Sequence, residues 1–178
     1  MKGVILSGGL ATRLRPLTLV TNKHLLPVYN KPMVFYPLEA MKKAGIKEVL
    51  LTTTGEHAGD FANLLLSGEE FDLRLYYAIQ KNPTGGIADA LSLAGEFARG
   101  EPILVVLGDN IFNFDLGKSI EKFNTQQKAT GKSAMIFGVH LNTQAGHYGV
   151  IELDSAGKIV SIEEKPASPN SDIAQTGI

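Results

Sequence analysis

Apolar residues in this chain follow two rhythms. Short runs in which almost every side chain is apolar alternate with stretches in which apolar residues recur every three or four positions. The first rhythm predicts strands buried on both faces, and the second predicts amphipathic helices. Gly3 to Ser7 (GVILS), Val49 to Thr53, Leu73 to Ile79 and the wholly apolar Ile103 to Leu107 are the first four predicted strands. Between them, Val34, Leu38 and Met41 predict a helix stopped at Gly45, with Pro37 in its first turns, where a missing N–H is tolerated. Ala58, Phe61, Leu64 and Leu65 predict a second helix, and Ile87, Ala90, Leu91, Ala94 and Phe97 form the cleanest helical stripe in the chain. Leu116, Ile120 and Phe123 mark a more solvated helix, and Ala134 to Val139 predict a fifth strand. Tyr148 to Leu153 and Lys158 to Ile162 flank Asp154-Ser155-Ala156-Gly157, which reads as a hairpin.

Strands that alternate with helices predict parallel βαβ units. The expected fold is therefore α/β: a three-layer, Rossmann-like, mostly parallel sheet with helices on both faces and a C-terminal antiparallel hairpin. No internal repeat or linker interrupts the pattern, so residues 1–178 are read as a single domain.

Composition narrows the function. With 44% hydrophobic and 20% charged residues, the 178-residue chain can build a sizeable core. A net charge of −1 gives no basic field for nucleic acid, although a few local cations suffice to hold one nucleotide. No apolar run is long enough to span a bilayer, and Val4 to Leu6 is too short for a signal peptide, so a cytoplasmic protein without a membrane partner is expected. The absence of cysteine excludes disulfides, thiolate catalysis and cysteine metal sites.

In open α/β sheets, ligands sit beyond the carboxyl ends of the strands. The residues at those ends here are Gly8-Gly9-Leu10-Ala11-Thr12-Arg13, then Gly55, then Gln80 with Gly85-Gly86, then Gly108-Asp109-Asn110. Glycines let backbone N–H groups approach a phosphate, and Arg13 offers a planar fork of donors, so the first loop is a candidate phosphate cradle. It matches neither the Walker A pattern nor G-x-G-x-x-G. Lys23, beside apolar residues and Pro27, is a candidate cleft cation, and Lys31 is a weaker one. Asp109, just beyond a buried strand, is the candidate Mg²⁺ ligand, because Mg²⁺ takes one or two carboxylates and completes its shell with phosphate oxygens and water. None of the four histidines has a triad-like or ligand-like partner at recognisable spacing.

The runs GVILSGGLATRLRPLT, NKHLLPVYNKPMVFYPL, GGIADAL, LGDNIF, HYGVIEL, SIEEKP and AQTGI, in that order, resemble the sugar-phosphate nucleotidyltransferases, and most closely the glucose-1-phosphate thymidylyltransferases. The resemblance implies a Mg²⁺-dependent transfer that joins dTTP to glucose 1-phosphate and releases pyrophosphate. UTP, or another sugar phosphate, is the close alternative. It implies that Gly8 and Gly9 contact the nucleotide, that Arg13 meets the triphosphate, and that Lys23 lies near the α-phosphate. It implies further that Gln80 and Gly86 read the base, that Asp109 holds the metal, and that Gly149, Glu164 and Lys165 form the sugar-phosphate site. Arg13, Lys23 and Asp109 are then the catalytic set. Residues 1–115 become the nucleotide-binding part, and residues 116–178 an incomplete sugar-phosphate-binding part.

Four departures from the family pattern stand out. Ala11 replaces a loop glycine and would be strained at positive φ; Asp89 replaces a glutamine; Gln175 replaces a small apolar residue; and the segment between Gln80 and Ile87 is one residue longer, which leaves Gly85 and Gly86 as alternatives. The family also continues past the Thr-Gly-hydrophobic run, where it carries a second metal-binding aspartate. The chain is thus expected to be truncated at Ile178, with a sheet edge or apolar surface uncovered near Ile173 to Ile178 that favours self-association, as a homo-oligomer, or poor solubility. A catalytically impaired, nucleotide-binding remnant or regulatory subunit is the reading from a different class.

Overall fold

The computed structural model describes residues 1–131, 133–141 and 145–178. Its strands are β1 (Lys2–Leu6), β2 (Pro27–Val28), β3 (Lys31–Pro32), β4 (Glu48–Thr54), β5 (Arg74–Gln80), β6 (Ile103–Leu107), β7 (Gly138–His140), β8 (Gly149–Leu153), β9 (Ile159–Glu164) and β10 (Ile173–Gln175). Its helices are α1 (Phe35–Lys43), α2 (Ala58–Leu65), α3 (Gly86–Ser92), α4 (Gly95–Ala98) and α5 (Leu116–Thr130). No described helix is long and apolar enough to cross a membrane.

The main sheet runs β5-β4-β1-β6 and is parallel throughout. Alternation along its strands divides the core in two, as the pleat requires. Ile5, Val49, Leu51, Leu104 and Val106 join one buried cluster with Leu38 and Met41 of α1, Phe61 and Leu65 of α2, and Leu116 of α5. Val4, Leu6 and Leu50 face the other way, against Ala90 and Ala94. These are the three layers that the sequence predicts. The chain moves outward from β1 to β4 to β5, then returns to the opposite side of β1 as β6. The crevice between the carboxyl ends of β1 and β6 is therefore a topological switch point, the usual ligand site of such sheets.

Three expectations need correction. The regular stripe from Ile87 to Phe97 is not one helix, because α3 stops at Ser92 and α4 begins at Gly95. The Ser92 hydroxyl donates to the Asp89 carbonyl (2.7 Å), and Ala94 N–H closes a tighter turn on Leu91 O (2.9 Å). A hydroxyl that competes for a helix carbonyl, followed by glycine, favours a break over continuation. The fifth strand spans only Gly138–His140, and it joins a second, antiparallel sheet of order β7-β10-β8-β9 rather than the parallel one. Finally, β10 at residues 173–175 is not an edge strand, although Ala174 to Ile178 do line a partly open, mainly apolar cavity. β10 lies between β7 and β8, Thr176 N–H donates to Phe137 O (2.9 Å), and Leu107 N–H donates to Gly177 O (2.7 Å), tying this segment to β6. The predicted hairpin is present as β8 and β9, in antiparallel register across the Asp154–Gly157 turn.

Candidate active site

The loop after β1 leaves the sheet through Ser7 and Gly8. Ala11 stands at φ 45°, ψ 41°, in the left-handed region, immediately before the short 3₁₀ turn Thr12–Leu14 that carries Arg13. Its carbonyl is pinned by Leu14 N–H (3.0 Å) and by the Thr18 hydroxyl (2.9 Å). A Cβ in this region costs about 1–2 kcal/mol. Ala11→Gly should therefore raise the unfolding free energy by about 1 kcal/mol, after allowance for the extra freedom of glycine in the unfolded chain. The urea midpoint checks this, and an unchanged midpoint would show that the loop stores no strain. Arg13 itself is exposed and makes no ion pair among the described residues.

The chain then returns beneath the rim of the sheet. Asn22 is the anchor: its Nδ2 donates to Ser7 O at the end of β1 (3.2 Å), and its Oδ1 accepts from the His24 backbone N–H (3.0 Å). His24 Nδ1 lies 2.6 Å from the same Oδ1. That oxygen only accepts, so the proton of the ring sits on Nδ1. His24 is 1% exposed, and burial, with Lys23 beside it, lowers its pKa from the ordinary 6.5 to about 3. This histidine is a neutral structural post and not a general base. Its burial has a pH consequence. The unfolded chain takes up this proton below about 6.5, whereas the folded chain resists it until about 3, so acidification through that window favours unfolding. The expected slope is up to about 1.4 kcal/mol of stability lost per pH unit, and His24→Gln should remove that contribution from a stability–pH titration.

The anchoring aims Lys23 outward. Lys23 Nζ donates to Asp109 Oδ2 at 2.5 Å, across 86 residues of sequence, and this pair sits at the switch point between β1 and β6. Burial pushes the Asp109 carboxyl up, but the hydrogen bond and the charge of Lys23 hold it below the usual carboxylate range. Gly108 makes the geometry possible. A Cβ there would lie 2.5 Å from Ser7 Oγ and 2.8 Å from His24 Cδ2.

A second cluster forms around Gln80, at the carboxyl end of β5 and 4% exposed. Gln80 Nε2 donates to Asp89 Oδ2 (2.8 Å) and to Gly86 O (3.2 Å). Its Oε1 lies against Gly8, where a Cβ would approach to 2.6 Å. Gly8, Gln80 and Gly86 are thus brought together, with Asp89 as the fourth member. Of the two alternatives, Gly86 contacts Gln80, whereas Gly85 is packed under the Asp89 carboxyl, 2.6 Å from where its Cβ would be.

The third cluster belongs to the antiparallel sheet. Gly149 pairs in register with Glu164, and a Cβ on Gly149 would lie 3.0 Å from Gln175 Oε1 and 3.3 Å from Glu164 Oε2. Lys165 Nζ is 3.2 Å from Glu164 Oε1, and both side chains are exposed. A cavity of about 1080 Å³ connects this cluster with Asp109 and Asn110 at the end of the parallel sheet. Asp109 is therefore common to the switch-point pair and to the cavity. Arg13, Lys23 and Gln80 do not line that cavity.

The sequence profile of the nucleotidyl transferase family matches residues 2–178. The chain belongs to that family. It is 42% identical over 178 residues to the glucose-1-phosphate thymidylyltransferase of Actinoplanes sp., covering 99% of this chain and 56% of the relative. It is also 42% identical to the enzyme of that name from Neisseria gonorrhoeae, covering 100% of this chain and 60% of the relative. A Bacillus anthracis protein assigned as a glucose-1-phosphate thymidylyltransferase and crystallised with sucrose superposes with a TM-score of 0.93 at 40% identity, over 99% of this chain and 69% of that one. Apo UDP-glucose pyrophosphorylase superposes with a TM-score of 0.80 at 20% identity, covering 99% of this chain and 75% of that one, a likeness of fold. The chain thus spans 56–60% of the length of these curated relatives.

Within this member of the nucleotidyl transferase family, Asn22 is the anchor of the candidate site that pattern reading missed. A polar side chain just before a 3₁₀ turn reads as a cap, which it is, and nothing in the local sequence announces its bond to Ser7 O. Among the described residues no three His, Asp or Glu side chains gather as a metal cluster. Asp109, on the rim beside Lys23, still fits Mg²⁺, which needs only one or two carboxylates when phosphate oxygens and water complete its shell.

Proposed function

We propose that this chain carries the nucleotide-binding half, and part of the sugar-phosphate half, of a glucose-1-phosphate thymidylyltransferase. A phosphate oxygen of glucose 1-phosphate attacks the α-phosphorus of dTTP, the bond to the β-phosphate oxygen breaks, and pyrophosphate leaves. The observation that carries this reading is the Lys23–Asp109 pair at 2.5 Å on the switch point of the parallel sheet, opening toward the cavity that holds Gly149, Glu164 and Lys165. Identity of 42% to enzymes of that name supports the choice of substrates.

Both reactants are anions, so the protein's work is to suppress their repulsion and hold the line of attack. In this reading Lys23 holds the α-phosphate and Arg13, exposed and without an ion pair among the described residues, holds the departing pyrophosphate. Gly8 and Gly9 let backbone N–H groups approach the nucleotide, and Gln80 with Gly86 meets the base. Across the cavity, Lys165 holds the sugar phosphate, Glu164 accepts from sugar hydroxyls, and Gly149 leaves room for the ring. Asp109 holds Mg²⁺, which supplies charge stabilisation on the phosphates.

Pyrophosphate release from each nucleoside triphosphate, with and without glucose 1-phosphate, tests the proposal. Release is expected with dTTP, and more weakly or equally with UTP, only when the sugar phosphate is present. Release that ignores the sugar phosphate would point to a hydrolase and overturn it.

A further inference from the structure

Gln80 is a buried amide whose two ends face different chemistry. One end meets Asp89 Oδ2 at 2.8 Å and Gly86 O at 3.2 Å. A carboxylate oxygen and a peptide oxygen both accept, so the group between them must be the NH₂, and its two hydrogens are both committed. The other end, Oε1, turns toward Gly8 at the ligand rim, and no donor reaches it among the described residues. Oε1 keeps some contact with solvent, so it stands open to a ligand N–H, which would replace water there.

We propose that Asp89 sets the base specificity of this site by locking the Gln80 amide with its oxygen outward. The inference deepens the base-site reading of Gln80 and rests on it. It also revises that reading. An amide that faces a pyrimidine with both ends would give its N–H to O4 and take N3–H on its oxygen, but here the N–H groups are spent on Asp89 and Gly86. The site offers the base an acceptor alone. Uracil and thymine carry a hydrogen on N3 and satisfy it. Cytosine, of the same size and shape, presents a bare lone pair on N3, which opposes the lone pairs of Oε1. Asp89 does not touch the base. It is a positioning residue that acts through Gln80, and it stands where the family pattern has a glutamine, which could donate as well as accept and so would lock the amide less firmly.

The test is a set of dissociation constants for UTP, dTTP and CTP, measured by calorimetry on the wild-type chain, Asp89→Asn and Asp89→Glu. Wild type is expected to bind UTP and dTTP at least roughly tenfold more tightly than CTP, the scale of one hydrogen bond made to the base or left unmade. Asp89→Asn, whose amide can donate or accept, frees the Gln80 amide to turn and should cut the UTP-to-CTP ratio severalfold. Asp89→Glu keeps an acceptor-only partner and should restore part of the ratio. If Asp89→Asn weakens UTP and CTP by the same factor, Asp89 is only structural and the inference fails while the base site stands. If wild type binds UTP and CTP equally, the base-site reading of Gln80 itself fails. An independent measurement needs no variant: both Gln80 side-chain amide protons should exchange slowly with solvent in the free wild-type protein by NMR, and fast exchange of both would overturn the lock.

Discussion

Turnover should fall roughly 10²–10³-fold when Lys23 is replaced by alanine, the scale of losing one preorganised donor aimed at developing charge. In the proposed site the lysine is held in place for that task. Asn22 and the buried, neutral His24 fix the backbone on either side of it, and its ammonium reaches the rim between β1 and β6. Its partner there, Asp109, is itself the proposed metal ligand, so the substitution removes a phosphate cation and also alters the charge felt by the metal site. Arg13→Ala should cause a loss of similar size, because the pyrophosphate leaves as a highly charged group. The fold should survive both changes, since Arg13 is exposed and the Lys23 ammonium has Asp109 as its one hydrogen-bond partner among the described residues. Steady-state pyrophosphate release, with circular dichroism to check folding, decides the matter. Turnover within threefold of wild type for both variants would remove them from the catalytic set.

The second large effect is on stability. Gly108→Ala adds a methyl 2.5 Å from Ser7 Oγ, 2.8 Å from His24 Cδ2 and 3.3 Å from His24 Nε2. Ser7 is 0% exposed and His24 1%, and His24 is tied to Asn22, so neither neighbour has room to withdraw. Overpacking of this kind costs about 1–3 kcal/mol, occasionally more. Relief must come from the backbone, which would shift Asp109 next door, and a misplacement near 1 Å is enough to cost about 10²-fold in rate. The urea midpoint should therefore fall and activity should drop with it. Gly95→Ala is the control: a Cβ there meets nothing within 4 Å at the start of α4, so stability should hold or rise slightly. Equal midpoints for the two variants would refute the packing argument at Gly108.

Much of this molecule is legible from its periodicities. The four strands of the parallel sheet, α1, α2, α5 and the β8–β9 hairpin lie where the apolar patterns place them, to within one or a few residues. Those patterns are local, and burial on two faces or one leaves a mark on consecutive side chains. The left-handed geometry of Ala11 is foreshadowed only by the family resemblance, in which a glycine stands at this position. The break between α3 and α4 is less legible, since the apolar stripe runs through it. Only the Ser92 hydroxyl and Gly95 hint at the stop, and neither outweighs five well-spaced apolar residues on paper.

What the sequence by itself determined was the set of chemical groups and the rims they occupy: glycines after β1, an amide at the end of β5, a carboxylate after β6, and a Glu-Lys pair at the end of β9. Tertiary structure alone decided how those groups face one another. It paired Lys23 with Asp109, buried His24 behind them, turned the Gln80 amide outward against Gly8, and moved Gly138–His140 into the antiparallel sheet beside β10. The physical reason is range. A strand's apolar pattern is satisfied by any neighbour that covers it, so pattern fixes burial but not partner. Hydrogen bonds and ion pairs between residues tens of positions apart depend on strand register, on the crossing from β5 to β6, and on side chains only a few ångströms apart, none of which leaves a periodic trace in the chain.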